Sequence, residues 1–397
     1  MSFYTEPAFF IIVAVALVPA VIAGCLGRRP KVYGLLVSIV FLALLFFRDL
    51  QGALFFGVFL AVSCATTAFT FRLFAKDTAH KIALYRLALL VALLPLICAK
   101  VSAVFDANLL GFIGISYLSF KTVQVLIEIR DGLIDNLRPL DFIYFLLFFP
   151  VFTSGPIMRS RDFCKQLATP LSGEEYRSLF ARGAAWFVAG VVYSFVFAMF
   201  FQWLQWFAPQ TIGTASLGAQ ALGQVVQALC YGLYLFFDFA GYSFMAMGIG
   251  AALGIEVPRN FNAPFASVDI KDFWNRWHIT LSYWLRDYVF MRVSKACIKR
   301  KVFKDRVFTA CAGYMCNMTL MGFWHGITVD YIVYGIYHGL LLSGCELVQK
   351  KSKFYKKHKK ETWFKVASWA VTMVAVFFGF ALFSGQVTQG LAGVLNG

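Results

Sequence analysis

Apolar runs long enough to cross a bilayer recur along almost the whole chain, and no other feature constrains the fold as tightly. They lie at about 8–24, 32–47, 53–71, 82–105, 109–129, 184–207, 217–239, 308–326, 331–348 and 366–384. A hydrocarbon core takes roughly 20 apolar residues as a helix, and backbone inside it must satisfy its own hydrogen bonds. The sequence therefore reads as an all-α polytopic membrane protein. Composition agrees: of 397 residues, 60% are hydrophobic, 18% aromatic and 14% charged, with a mean hydropathy of +0.71. That is too apolar for a soluble domain. The nine cysteines are scattered without Cys-x-x-Cys spacing, so neither a disulfide framework nor a metal site is expected.

Basic residues set the topology. Arg28, Arg29 and Lys31, then Arg72, Lys76 and Lys81, then Arg130 and Arg138 follow alternate runs, which places them on the cytoplasmic side if the N-terminus is outside. The first run lacks a basic n-region and reads as a retained span rather than a signal peptide. Leu140 to Ile157 contains Pro150 and Gly155-Pro156 and is followed at once by Arg159, Arg161 and Lys165. A full crossing would carry that cluster outside, so this segment is expected to be re-entrant. Gly241, Gly248, Gly250 and Gly254 lead into Pro258-Arg259-Asn260-Phe261-Asn262-Ala263-Pro264-Phe265, which is no regular helix. Segments 145–160 and 241–270 are thus expected to be broken and to line one cavity. Roughly ten full crossings remain, with both termini outside.

Two of the five histidines, His325 and His338, sit inside the apolar stretch Met321 to Gly339. Burial holds an imidazole neutral and leaves it able to accept a proton near neutral pH. Ionisable groups at membrane depth are functional candidates, although a structural histidine bonded to a neighbouring helix explains His338 equally well. A third, His278, lies in Lys271 to Tyr288. Projected as one helix, Phe273, Trp277, Leu281, Trp284 and Tyr288 share a face, and Lys271, Asn275, His278, Ser282 and Arg286 form a polar stripe. An interfacial amphipathic helix explains the tryptophans. It leaves unexplained a polar stripe centred on histidine, which a water-filled pocket would use.

Charge concentrates in two clusters. Arg292, Lys295, Lys299, Arg300, Lys301, Lys304 and Arg306 face a single acid, Asp305, and eight lysines run from Lys350 to Lys365. Both fit the cytoplasmic bias of basic residues and attraction to anionic membrane lipids. The first also interleaves Val302 and Phe303, which makes it a candidate docking surface for an acidic partner protein. Nothing points to nucleic acid.

Several motifs in order carry a family resemblance: Ser154-Gly155-Pro156-Ile157-Met158-Arg159, Asp238-Phe239-Ala240-Gly241-Tyr242-Ser243, the 258–265 segment, Asp272-Phe273-Trp274-Asn275-Arg276-Trp277-His278, Trp284-Leu285-Arg286-Asp287 and Phe323-Trp324-His325-Gly326. Together they resemble the membrane-bound O-acyltransferases, and among these the teichoic-acid D-alanyltransferase branch. The alginate O-acetyltransferase branch shares much of the same core. The resemblance covers about 110–345 and implies a single membrane-embedded domain of N-terminal spans (1–105), catalytic core (110–345) and a basic loop with a last span (346–397). It implies a ring of tilted helices around a central funnel.

The chemistry it implies is transfer of a D-alanyl group from a carrier-protein thioester to a hydroxyl acceptor, teichoic acid or another polymer, in a cell membrane of Gram-positive type. His325 maps onto the family's catalytic histidine and His278 onto the earlier motif's polar residue, with Asn275, Ser282, Arg286, Tyr242, Ser243 and His338 as lining candidates. No cofactor belongs to the chain itself; the phosphopantetheine thioester comes on the D-alanyl carrier protein, with Arg292 to Lys304 as its expected dock. A small auxiliary membrane peptide is a further candidate partner. A hydroxyl is a weak nucleophile, so a neutral imidazole accepting its proton suits the reaction. Two other classes stay open. A proton-coupled transporter or lipid flippase also uses broken helices and buried histidines, against which stand the lack of an inverted repeat and the scarcity of buried carboxylates. A membrane scaffold has no use for either histidine.

Overall fold

The computed structural model describes residues 3–75, 80–105, 110–212 and 216–390, and among these the regular structure is helical throughout. The helices are α1 (Pro7–Cys25), α2 (Lys31–Phe46), α3 (Leu50–Ala75), α4 (Lys81–Phe105), α5 (Ile115–Arg130), α6 (Pro139–Leu147), α7 (Ser160–Ala168) and α8 (Gly173–Val192). After a π-helical turn at Tyr193–Ala198 come α9 (Met199–Ile212), α10 (Leu217–Ala252), α11 (Ile270–Arg276) and α12 (Ile279–Leu285). A second π-helical turn, Arg286–Phe290, leads to α13 (Met291–Lys299), α14 (Arg306–His325), α15 (Val329–Lys351), α16 (Lys353–His358) and α17 (Thr362–Phe383).

Among the described residues seven helices are long and apolar enough to cross a membrane, with α8 and α9 counted as one through the π turn. The chain is a multi-pass membrane protein, but three of the ten expected spans fall outside that set. Helices α2 and α5 have 16 residues each. Helix α14 carries Arg306, Asn317 and His325 within its 20 residues.

The chain sorts into two compact units, Met1–Val191 with Tyr242–Pro258, and Val192–Gly241 with Arg259–Gly397. In the first, α5 is buried at every position from Leu118 to Ile129. Its polar residues Lys121, Gln124 and Glu128 recur at helical spacing, and each serves the broken segment beside it. The Lys121 ammonium donates to the carbonyls of Phe145 (2.9 Å) and Leu146 (3.3 Å), which the end of α6 leaves without helical partners. Gln124 Nε2 donates to Met158 O at 3.0 Å. Ser160 Oγ donates to Glu128 at 3.2 Å, and Arg161 pairs with the same carboxylate at 3.4 Å.

Between α6 and α7 lies one 3₁₀ turn, Phe149–Val151, followed by non-helical chain to Arg159, so the segment is broken as expected. The Tyr4 hydroxyl donates to Pro150 O at 2.9 Å. Tyr242 Oη receives the Ser154 N–H at 3.2 Å and shares a hydrogen bond with Thr153 Oγ1 at 2.9 Å. Side chains thus replace the missing helical ladder, the condition under which irregular backbone survives in a membrane.

The expectation for 241–270 needs correction. Helix α10 continues unbroken through Gly241, Gly248 and Gly250 to Ala252, and only the stretch beyond it is irregular. Gly248 and Gly250 are packing positions rather than breaks. A Cβ on Gly248 would lie 2.6 Å from Phe187 Cβ and 2.8 Å from Gly183 O, so α8 and α10 touch backbone to backbone there.

In the second unit α14 and α15 are joined by the short loop Gly326-Ile327-Thr328 and cross closely. A Cβ on Gly322 would lie 2.4 Å from Tyr331 O, and one on Gly335 would lie 2.5 Å from Met318 O. Small residues of this kind let helices approach in lipid, where no hydrophobic force drives them together. Phe273, Trp277 and Phe380 form an aromatic core beside them, with Trp277 4.9 Å from Phe380 and 5.5 Å from Phe273.

Replacing Lys121 by Met is expected to lower thermal stability in detergent by roughly 1–3 kcal/mol, the cost of leaving buried acceptors unpaired. A melting temperature unchanged from the parent protein would show that other donors reach those carbonyls.

Candidate active site

The expected single helix from Lys271 to Tyr288 does not form. Helix α11 ends at Arg276, α12 starts at Ile279, and His278 occupies the break with a left-handed backbone at φ 43°. The patterning nonetheless places the apolar face correctly: Phe273, Trp277, Leu281, Trp284 and Tyr288 are all buried. What interrupts the helix is the loop after Arg259. Asn260 O receives the Ile279 N–H at 2.9 Å, Asn260 Oδ1 receives Thr280 Oγ1–H at 2.6 Å, and Asn262 N donates to Arg276 O at 3.0 Å. These bonds are made at the expense of helical ones. A non-glycine residue held left-handed costs of order 1–3 kcal/mol, and such strain collects at functional positions.

His278 is 4% exposed, with its ring edge-on to Phe239 at 4.7 Å. It lies outside the seven spanning helices. Burial first, and the neighbouring His325 second, hold its pKa down at about 3. The imidazole is neutral at every physiological pH.

His325 is different in kind. It is the last residue of α14, half-buried rather than enclosed. Its ring sits among Trp324 (4.6 Å), Phe383 (5.0 Å) and Tyr331 (5.9 Å). Gly326 lets Tyr331 in, since a Cβ there would lie 2.5 Å from that ring. The site therefore combines one enclosed neutral histidine with a second that keeps access to its surroundings.

His338 is 1% exposed and accepts the Trp274 indole N–H at Nδ1, 3.3 Å away. Its Nε2 has no hydrogen-bond partner among the described residues and packs on α17, where a Cβ on Gly379 would approach it to 2.6 Å. It joins α11, α15 and α17.

The rest of the polar stripe comes together. Lys271, Asn275, Ser282 and Arg286 line one cavity of about 210 Å³ with Trp274, Met318 and Met321. His278 is not in that wall. Lys271 is held by Glu346 and Gln349 of α15, and Arg286 pairs with Asp287 at 2.9 Å while lying 4.3 Å over the Tyr283 ring. Asn317 also lines the cavity and was not singled out from sequence. Its signal was there: an amide in an apolar helix, two turns before His325. Tyr242 and Ser243 belong to the first unit, where Tyr242 anchors the broken segment and Ser243 is fully buried. That unit has a larger cavity, about 620 Å³ around Asp49 and Lys100, with no histidine in its wall.

The basic cluster is exposed. Lys295, Lys299, Arg300, Lys301 and Lys304 are open to solvent and Arg292 is half-buried. Among them Ile298, Val302 and Phe303 also face outward, at 58%, 54% and 41% exposure. Asp305, the one acid, caps α14 and pairs with Lys351 at 2.7 Å.

A neutral enclosed imidazole thus stands near a more accessible one, beside the glycine-packed pair α14 and α15. The pattern of the membrane-bound O-acyltransferase family matches residues 74–391, and the chain belongs to that family. Its relatives include the teichoic acid D-alanyltransferase of Bacillus subtilis, 37% identical over 404 residues, which cover 97% of this chain and 98% of that protein. The enzyme of the same name from Streptococcus thermophilus is 36% identical over 96% of this chain and 94% of its own. A probable alginate O-acetylase of Pseudomonas syringae pv. tomato is 34% identical over 69% of this chain but 49% of itself. The chain is thus a multi-pass membrane acyltransferase, which sets aside the transporter and scaffold readings.

Neutral enclosure of His278 has a consequence for stability. Its folded pKa of about 3 lies below the ordinary 6.5. The unfolded chain therefore binds a proton first as pH falls below about 6.5, and stability is lost progressively down to about 3. At pH 5 this amounts to about 2 kcal/mol relative to neutral pH. Thermal unfolding in detergent at pH 7 and pH 5 is expected to show a smaller drop for His278→Asn than for the parent protein.

Proposed function

We propose that this chain moves a D-alanyl group from a carrier-protein thioester to a hydroxyl of teichoic acid at a Gram-positive cell membrane. The reaction type rests on one observation, the pairing of the accessible His325 with the enclosed neutral His278. The substrates follow the named D-alanyltransferases, which match this chain from end to end, whereas the alginate enzymes share only about half their length with it.

In this reading His325 accepts the acceptor's hydroxyl proton as the oxygen attacks the thioester carbonyl. The C–S bond then breaks, the ester forms, and the departing thiolate takes the proton back from the imidazolium. His278 positions or polarises the carbonyl, since a neutral ring donates one hydrogen bond without adding charge. The thioester arrives as a substrate on a phosphopantetheine arm. Its carrier docks on the exposed basic segment from Arg292 to Lys304, where Val302 and Phe303 supply apolar contact and the lysines steer an acidic partner.

His325→Ala is expected to fold and to lose acyl transfer by about a hundredfold to ten-thousandfold, measured as D-alanyl ester formed from loaded carrier. Turnover close to that of the parent protein would remove His325 from the mechanism. For the dock, Val302→Asp should abolish carrier binding in detergent, where no anionic lipid competes. Undiminished affinity would mean that the basic segment serves only the membrane.

A further inference from the structure

The cavity beside α14 contains a buried amide that nothing in the fold explains. Asn317 is 8% exposed, its Oδ1 has no hydrogen-bond partner among the described residues, and its Nδ2 reaches only the Met318 sulfur at 3.9 Å. An uncompensated amide in an apolar setting costs free energy that a leucine there would avoid. Trp274, Met318, Met321 and Leu342 share its walls with the polar Lys271, Asn275, Ser282 and Arg286, and its volume of about 210 Å³ suits a flexible chain rather than a polymer.

The position of the cavity is as informative as its lining. Tyr314, Asn317, Met318 and Met321 line it at helical spacing on α14, and the next residue along that stripe is His325. At the other end Arg286 and Phe290 line it, and α13 with its exposed basic residues begins at Met291. The cavity therefore lies between the basic surface and the reacting histidine. Along the helix Asn317 is eight residues before His325, about 12 Å of axial rise. An acyl group reacting at His325 is too far away to meet Asn317.

We propose that Asn317 is a specificity-determining residue that binds an amide of the donor's pantetheine arm. The orphaned atom decides the match: Oδ1 accepts the N–H of a secondary amide. The arm carries two such amides. The inner one lies close to the thioester and does not span the distance, so the outer one is the partner. Methionines and aromatic faces pack its methylenes, and Arg286 stands at the end where the arm's phosphate enters.

The inference rests on the proposed thioester donor, and small soluble donors test the two separately. Purified protein would be given D-alanyl-pantetheine, which has both amides, and the D-alanyl thioester of N-acetylcysteamine, which lacks the outer one. The parent protein is expected to prefer the longer donor in kcat/KM, and Asn317→Leu to reduce that preference about tenfold, the effect of one lost hydrogen bond with its partner left buried. Asn317→Ala, which keeps the space open, should do the same, and Asn317→Gln should retain part of the preference. Thermal unfolding of the leucine variant is expected at or above the parent temperature. If both donors lose equally in the variants, Asn317 is structural and the inference fails; an intact preference in both also overturns it. A parent protein that consumes neither thioester would instead bring down the donor reading, and this inference with it.

Discussion

Everything at the reacting end depends on how closely α14 and α15 can approach. In lipid, apolar side chains gain nothing by leaving one helix surface for another, so proximity must come from packing and hydrogen bonding. Gly322 and Gly335 provide it by presenting bare backbone to each other, with no room for a Cβ on either side. The consequence is positional. His325 ends one helix just where Tyr331 and Tyr334 of the other begin, and Phe383 closes the ring of aromatics around it. A bulkier pair would still let both helices form and would still be apolar. It would move the imidazole away from the groups that hold it.

The first unit solves a different problem with the same economy. A broken helix exposes carbonyls that lipid cannot satisfy, and α5 answers with a polar stripe in a helix that is otherwise apolar and buried. Lys121, Gln124 and Glu128 each meet a successive part of the chain from α6 to α7. Their cost is that α5, already short at 16 residues, is also less apolar than the spanning helices. Its place is inside protein, where its polar face has partners.

Much of this was legible in the sequence because hydropathy and basic residues act locally. Long apolar runs, the Pro150 and Gly155-Pro156 break and the apolar face from Phe273 to Tyr288 needed no tertiary knowledge. Two readings failed for tertiary reasons. Gly248 looks like a helix breaker in isolation, yet inside a membrane helix a glycine is as often a contact point, and Phe187 and Gly183 decide the matter. The stretch around His278 looks like one amphipathic helix, yet Asn260 and Asn262, far back in the chain, take its backbone hydrogen bonds. Asn317 shows in the sequence as a lone amide in an apolar helix, without periodic support, and its missing partner is visible only in the structure.

The unequal exposure of the two histidines follows from the same architecture and bears on how they divide the work. A group that takes a proton from an incoming hydroxyl must be reachable by it and must gain a charge during the reaction. In the proposed reaction His325 is the ring asked to meet both demands, and it ends α14 half-buried where the helix gives way to Gly326. His278 meets neither: enclosed by Phe239 and the Asn260 loop, it resists protonation down to about pH 3. A ring kept neutral beside a ring that becomes cationic avoids the repulsion that two imidazoliums would suffer. In the proposed reaction the strained backbone at His278 holds a fixed neutral donor for the carbonyl, one that does not compete for the acceptor's proton.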